Sequence, residues 1–301
     1  MRSLLSTKEQ RQLRLMEILI HKRKWLRLHE LAHTLDCTER ILKNDLNELR
    51  SSFPDIDIQS SVNGIMIDLD FKSSVEDVYQ HFLTHSQSFQ LLEYMFFNEG
   101  LPIYRTVENL HTSNANLYRL GNRITQILSK QFQIELAFTP ASIKGNEIDI
   151  RYFFAQYFSE RYYFLDWPFP DLPEEDLTEF ADFFYKITNY PMRFSIYRMY
   201  KLMIAISIYR IKHGHFIDLP NHFSDKYYPL LMNIPNFEEI LVHFSEKLGL
   251  KLTPDIIAQI FISFLHNNLF LDPQEFFNSL EENSEARYSY QLLSQILERL
   301  S

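Results

Sequence analysis

Residues 28–50, LHELAHTLDCTERILKNDLNELR, constrain the fold more than any other stretch of the chain. Leu28, Leu31, Ala32 and Leu35 fall at i, i+3, i+4 and i+7, the apolar stripe of a short helix. Asp36 and Cys37 make a turn, and Thr38 stands where an N-cap hydroxyl opens the next helix. There Leu42, Leu46 and Leu49 face inward, leaving Glu39, Arg40, Lys43, Asn44 and Asn47 on the outer side. Two helices that cross closely need a small residue at the contact, and Ala32 supplies it. A second helix presenting amide and cationic side chains outward is how a helix-turn-helix enters the major groove of DNA.

The flanks extend this pair into a winged unit. Residues 7–24 place Leu13, Met16, Ile18 and Leu19 near helical spacing, with Thr7 as the expected N-cap. After Pro54 ends the helix, DIDIQSSVNGIMIDLD alternates apolar and polar residues around Val62-Asn63-Gly64, and Asn-Gly is a strong hairpin signal. The plain alternative for the basic residues is a solvated helix face. His29 and His33 read as exposed helix residues, and Cys37 as a small residue in the turn.

The pattern then repeats. Residues 75–84 and 88–98 read as helices. After Gly100-Leu101-Pro102, Val107 and Leu110 point inward on a short helix, and Thr112-Ser113 caps a longer one. Leu117, Leu120, Ile124 and Leu128 form its core stripe, and its open side carries Asn116, Tyr118, Arg119, Asn122 and Arg123. FQIELAFTPASIKGNEIDI alternates around Lys144-Gly145-Asn146 as a second wing. Helix, turn, helix and hairpin thus occur twice, about 75 residues apart. Gly121 inside the second outer helix costs about 1 kcal/mol relative to Ala. It marks either close packing or a copy whose duty is structural.

Charge supports this reading once it is resolved along the chain. The net charge is −9, yet residues 1–53 hold 11 Lys/Arg against 7 Asp/Glu, and residues 101–145 hold 5 against 2. The stretch 54–100 holds 1 against 8, and 146–301 holds 13 against 22. Two basic islands in an acidic chain suit local contact with phosphates, with the acidic parts limiting indiscriminate binding. With only 6 Gly, neither GxGxxG nor GxxxxGK[ST] occurs, which disfavours nucleotide enzymes. One cysteine rules out an internal disulfide framework and any multi-Cys zinc site. No apolar run of membrane-spanning length and no signal-type N-terminus is present, so a cytoplasmic protein without membrane contact is expected.

Residues 150–301 change character, being acidic, aromatic-rich and helical. Helices are expected near 150–162, 174–187, 192–213, 222–231, 236–248, 254–268, 273–281 and 285–299. The run RFSIYRMYKLMIAISIYRIKHGHFIDLP is apolar on all sides, which marks the core helix of this part. His213 and His215 follow it as residues favoured at a helix C-terminus, while His243 and His266 lie on apolar faces and read as core or interface residues. The carboxylates Asp166, Asp171, Glu174, Glu175, Asp176, Glu179 and Asp182 can imitate a catalytic pair, but a solvated loop and helix start explains them better. No catalytic residue, cofactor or metal site is expected.

In TERILKNDLNEL, SNANLYRLGNRI and YRIKHGHFIDLP the chain resembles the Mga/AtxA family of Gram-positive transcriptional regulators. The first motif looks like that family's N-terminal helix-turn-helix and the second like its Mga-type helix-turn-helix. The third is similar to a phosphotransferase-system regulation domain (PRD). The implied architecture is mainly α with small β-wings: winged helix-turn-helix domains at 1–71 and 72–150, then an all-α PRD-like helical bundle at 151–301. The resemblance implies a cytoplasmic activator of virulence or surface-protein genes, tuned by histidine phosphorylation from phosphotransferase phosphocarrier proteins. His215 is the first candidate and His213 the second. Family members usually continue into a second PRD and an EIIB-like domain, which the sequence up to Ser301 is expected to lack.

Double-stranded DNA is the expected partner, read by Glu39, Arg40, Lys43, Asn44, Asn47, Asn116, Tyr118, Arg119, Asn122 and Arg123, with a homodimer as the default assembly. The alternative is an interaction or sensor module whose winged helices bind protein. An RNA-binding antiterminator of the PRD type would begin with a small all-β domain, which this sequence does not suggest.

Overall fold

The computed structural model describes residues 1–68, 74–162, 166–188, 194–219 and 236–266. The expected helices at 222–231, 273–281 and 285–299, and the end of that at 254–268, lie outside the described residues. Two compact units divide between Asp166 and Trp167.

The first unit opens with a 3-10 turn, Arg2–Leu4, followed by α1 (Thr7–Lys22), α2 (Leu28–Thr34) and α3 (Glu39–Ser52). Helix α1 is capped by Ser6 rather than Thr7. The Ser6 hydroxyl accepts from the Glu9 N–H at 3.2 Å, and the Glu9 carboxylate accepts from the Ser6 N–H at 2.6 Å. Glu stands three residues after Ser6, so the reciprocal box closes there and Thr7 becomes the first helical residue. Strands β1 (Asp57–Ser61) and β2 (Gly64–Asp68) pair antiparallel, with Ser61 opposite Gly64 and Val62-Asn63 forming the turn. Leu26 adds a third, one-residue edge: its N–H donates to the Ile65 carbonyl at 2.9 Å, and the Ile65 N–H donates back at 2.8 Å. Leu13, Met16, Leu19, Leu31, Leu42, Leu46, Leu49, Ile58, Ile65 and Ile67 are all buried, so the periodic residues of helix and wing share one core.

Next come α4 (Val75–His85), α5 (Gln87–Phe97), α6 (Ile103–Asn109) and α7 (Asn114–Gln131), then β3 (Glu135–Phe138) and β4 (Ala141–Lys144). The second hairpin turns at Thr139-Pro140, with Phe138 opposite Ala141, and not at Lys144-Gly145-Asn146. Lys144 is the last paired residue of β4, and Asn146 caps α8 (Glu147–Arg161) by accepting from the Ile148 N–H at 2.8 Å. Gly145 is a junction: its φ is +151, and a Cβ there would sit 2.9 Å from the Gln133 carbonyl oxygen. The alternation ran on through the junction, which displaced the turn in the sequence reading.

Helix α8 begins before the expected boundary at residue 150 and belongs to the first unit. Its Phe153, Phe154, Tyr157 and Phe158 are fully buried; Tyr157 stacks on Phe89 of α5, and Phe154 and Phe158 pack on Phe96 of the same helix. The Tyr157 hydroxyl donates to the Phe89 carbonyl at 2.7 Å, and Tyr79 of α4 donates to Glu160 at 2.5 Å. A helix apolar on several faces needs several neighbours, and α4 and α5 supply them.

The second unit contains α9 (Glu174–Thr188), α10 (Phe194–Lys212), α11 (Phe237–Leu248) and α12 (Pro254–His266). Among the described residues it is all α. Helix α10 is its core, with Leu202, Met203, Ile204, Ala205, Ile206 and Ile208 all buried. After α10 the chain turns through Gly214 at φ +82, and the buried Gln259 of α12 clamps Ile217. Ile217 N–H donates to its side-chain oxygen at 2.8 Å, and its amide nitrogen donates to the Ile217 carbonyl at 2.7 Å.

Candidate nucleic-acid interface

The two helix-turn-helix elements superimpose in sequence at one offset. Asp36 and His111 both take left-handed φ (49° and 46°) in the turn, two residues before the caps Thr38 and Ser113. The Cys37 N–H donates to the Ala32 carbonyl at 3.0 Å, and the Thr112 N–H to the Val107 carbonyl at 3.2 Å. Leu42, Leu46 and Leu49 correspond to Leu117, Gly121 and Ile124, and all six are buried. The same backbone device therefore aims α3 and α7.

On α3 the outer face is open. Glu39, Arg40, Lys43, Asn44 and Asn47 are all exposed. The opposite side is anchored by more than leucines. Asp45 is only 2% exposed and accepts from Arg11 of α1 at 2.6 Å and 3.1 Å and from Gln12 at 3.2 Å. The hydrogen bond to Asp45 holds the Arg11 guanidinium above its ordinary range. Glu48 accepts from Lys8 and from Gln12 at 2.8 Å, and these bonds lower its carboxyl. Cys37 is half-buried in the turn, and burial pushes its thiol up.

The wing is tied to α3 by Arg50, a residue the sequence did not single out. Its Nε donates to the Ile58 carbonyl at 3.0 Å, and its other nitrogens reach the Ser60 hydroxyl and, at 3.4 Å, the Asn47 side-chain oxygen. The signal was a lone basic residue at the C-terminal end of a helix that runs into a hairpin. Val62 at the wing tip is fully exposed.

On α7 the expected residues separate. Tyr118, Arg119 and Asn122 are exposed, with Tyr118 lying edge-on to Phe138 at 5.3 Å. Asn116 is half-buried: its amide donates to Thr112 at 2.7 Å, and its oxygen accepts from Arg119 at 2.7 Å. Arg123 is turned away from the open side and donates to the Leu4 and Leu5 carbonyls at 2.8 and 3.0 Å and to the Ser88 hydroxyl. Leu120, expected in the core stripe, is half-buried, and Gly121 takes the buried place. A Cβ on Gly121 would lie 2.2 Å from the Phe138 ring, so this glycine marks close helix–wing packing.

In the second unit, His213 is exposed, stacks on Tyr209 at 4.1 Å and bonds the Tyr209 carbonyl through Nδ1 at 2.8 Å. His215 is half-buried, with its N–H donating to the Arg210 carbonyl at 3.0 Å. His243 is not a core residue. It is exposed and bonds Glu179 at 3.0 Å, because α11 turns this position toward the acidic face of α9. The side chain of His266 lies outside the described residues. The acidic run is paired in part: Glu174 with Lys201 at 2.5 Å, Asp176 and Glu179 with Lys247, and Asp182 with the Tyr197 hydroxyl. No group of three or more metal-binding side chains occurs among the described residues. No helix there is long and apolar enough to cross a membrane.

A winged helix-turn-helix repeated in tandem, followed by a unit that is all-helical among the described residues, defines the class of tandem winged-helix proteins. Three family models match in order: the M protein trans-acting positive regulator (MGA) HTH domain at residues 6–65, the Mga helix-turn-helix domain at 71–158, and the MGA PRD domain at 173–301. The chain belongs to the Mga/AtxA-like family of transcriptional regulators. It is 41% identical, over its whole length, to a Streptococcus pneumoniae protein described as a candidate trans-acting regulator, of which it spans 61%. Two Bacillus anthracis proteins are 23% and 24% identical over 68% and 69% of the chain: the capsule synthesis positive regulator AcpA and the anthrax toxin expression trans-acting positive regulator. The chain spans 43% and 44% of those two.

Proposed function

We propose that the chain is a transcription regulator that binds double-stranded DNA in a sequence-specific manner, with α3 as the principal reader. One observation carries the reading. Arg40, Lys43, Asn44 and Asn47 stand exposed on one side of a helix whose other side is fixed by buried leucines and by Asp45. Arg and Asn are the side chains suited to guanine and adenine edges in the major groove, while Lys serves phosphates. Tyr118, Arg119 and Asn122 of α7 form the second, weaker reader. The relatives' descriptions as positive regulators of capsule synthesis and toxin expression support activation of virulence or surface-protein genes. In this reading 1–71 and 72–150 are the DNA-reading domains, held together where α1 meets α4, and the remainder is the regulatory and dimerising part of a cytoplasmic homodimer.

Regulation follows from the resemblance to PRDs: phosphocarrier proteins modify a histidine at the end of α10. The Tyr209 carbonyl can only accept, so Nδ1 of His213 is the donor in this bond and Nε2 is the ring nitrogen outside it. With its exposure, this ranks His213 beside His215. Phosphocarrier labelling that survives both His213→Ala and His215→Ala unchanged refutes the assignment.

The DNA reading is tested on a duplex selected by the full chain from a randomised library. Arg40→Ala is expected to weaken binding by about 1–3 kcal/mol and relax preference at one base position, whereas Lys43→Ala lowers the salt slope by about one. An unchanged footprint with Arg40→Ala refutes the role of α3. A protein-binding role for the second winged unit is favoured by the exposed Leu101, Tyr104 and Tyr118. Arg119→Ala without effect on the footprint is the result that reading predicts.

A further inference from the structure

Arg123 lies on the flank of α7 that meets the first winged unit. Leu4 and Leu5, whose carbonyl oxygens it holds, are buried at the point where the chain enters α1. Ser88, its third partner, is buried in the first turn of α5. One guanidinium on the outer helix of the second winged element therefore grips the segment that leads into α1 and the start of α5 together. The corresponding residue of α3 is Glu48, which grips α1 through Lys8 and Gln12. Both outer helices thus use the same flank to register against the N-terminal helix. Other contacts surround this junction: the Ser86 hydroxyl donates to Glu9 at 3.4 Å, Arg2 lies over the Tyr79 ring at 5.4 Å, and Phe53 packs on His81 at 4.3 Å.

We infer that Arg123 is a positioning residue and not a base reader. It fixes α7 against the N-terminal segment of the first winged element, so α3 and α7 are presented at one spacing and one phase. The consequence for recognition is a bipartite duplex site with a fixed spacer. This consequence rests on the DNA reading proposed above, whereas the lock itself does not.

Two measurements on the full chain separate them. In a Cys37→Ser background, spin labels at the exposed positions 43 and 122 (Lys43→Cys and Asn122→Cys) report the α3–α7 distance by double electron–electron resonance. A narrow distribution is expected, broadened by Arg123→Ala and only partly by Arg123→Lys, which reaches fewer of the three acceptors. A distribution as narrow in Arg123→Ala as in the parent overturns the lock. The second measurement uses the duplex selected by the parent chain, with five base pairs inserted between its two protected segments, about half a helical turn. The parent is expected to lose at least about tenfold in affinity, since linked binding gains about 10²–10⁴ only when both sites are engaged. Arg123→Ala is expected to lose less than threefold on insertion. If instead it weakens every duplex equally and lowers the salt slope by about one, Arg123 is a phosphate contact and the inference is wrong. If the parent selects no duplex, the DNA reading fails while the label distances still decide the lock.

Discussion

Gly64→Ala is the substitution by which the wing can be removed with one methyl group. Gly64 has φ +122, and a Cβ built there would lie 2.1 Å from the Leu26 carbonyl oxygen and 2.6 Å from its carbon. Those are backbone atoms, so no side-chain rotation relieves the overlap. Relief requires Leu26 to part from Ile65, which breaks hydrogen bonds of 2.9 and 2.8 Å. The two bonds contribute about 0.5–1.5 kcal/mol each, and left-handed strain at a non-glycine residue costs about 1–3 kcal/mol. The expected destabilisation is therefore about 2–6 kcal/mol, centred on the wing. Native-state hydrogen exchange measures it directly: the Leu26 and Ile65 amides should lose at least about thirtyfold in protection, since 1.4 kcal/mol is a factor of ten. Val62→Ala, at the solvent-facing tip of the same turn, is the control and is expected to stay within about 0.5 kcal/mol of the parent. If Gly64→Ala keeps the protection of both amides within a factor of about three, the claim that backbone proximity at Leu26 demands glycine is refuted.

Two further outcomes follow from the same packing. Asp45→Ala leaves Arg11 and Gln12 without their shared acceptor and is expected to cost about 2–4 kcal/mol in a urea-unfolding measurement; Arg11 remains partly solvated, which keeps the loss at or below that of a fully buried broken pair. Burial, and then the bond to Glu93, pushes the Tyr162 hydroxyl up to about 12, above its unfolded value of about 10. Its contribution to stability is therefore complete below pH 10 and is lost as pH rises toward 12. Tyr162→Phe should make the urea midpoint fall less steeply with pH between about 10 and 12, and an unchanged slope would count against the linkage.

The tandem winged units were legible in sequence because their information is local. Periodicity at Leu42, Leu46 and Leu49, caps at Thr38 and Ser113, and alternation over 57–68 each act within a few residues. The boundaries that failed did so where two local signals competed. Ser6 displaced Thr7 as cap because Glu9 completes the box only with Ser6. The second hairpin turned at Thr139-Pro140 because strand alternation continued past the point where Gly145 and Asn146 begin α8. The aromatic helix α8 resembled the acidic, aromatic chain that follows it, yet its rings pack on α5, and composition alone does not say which neighbour buries a helix.

For the candidate site the division is the same. Sequence alone determined that α3 carries Arg40, Lys43, Asn44 and Asn47 opposite an apolar stripe, since helical spacing fixes which residues share a face. It also determined that a second copy follows at one offset. Only the tertiary structure decided what each cation does. Arg11 and Arg123 are as basic in sequence as Arg40, but burial beside Asp45 and beside the Leu4 and Leu5 carbonyls engages them in holding the fold. A guanidinium partly removed from water must hydrogen-bond to whatever surrounds it, and that surrounding is assembled from residues more than thirty positions away.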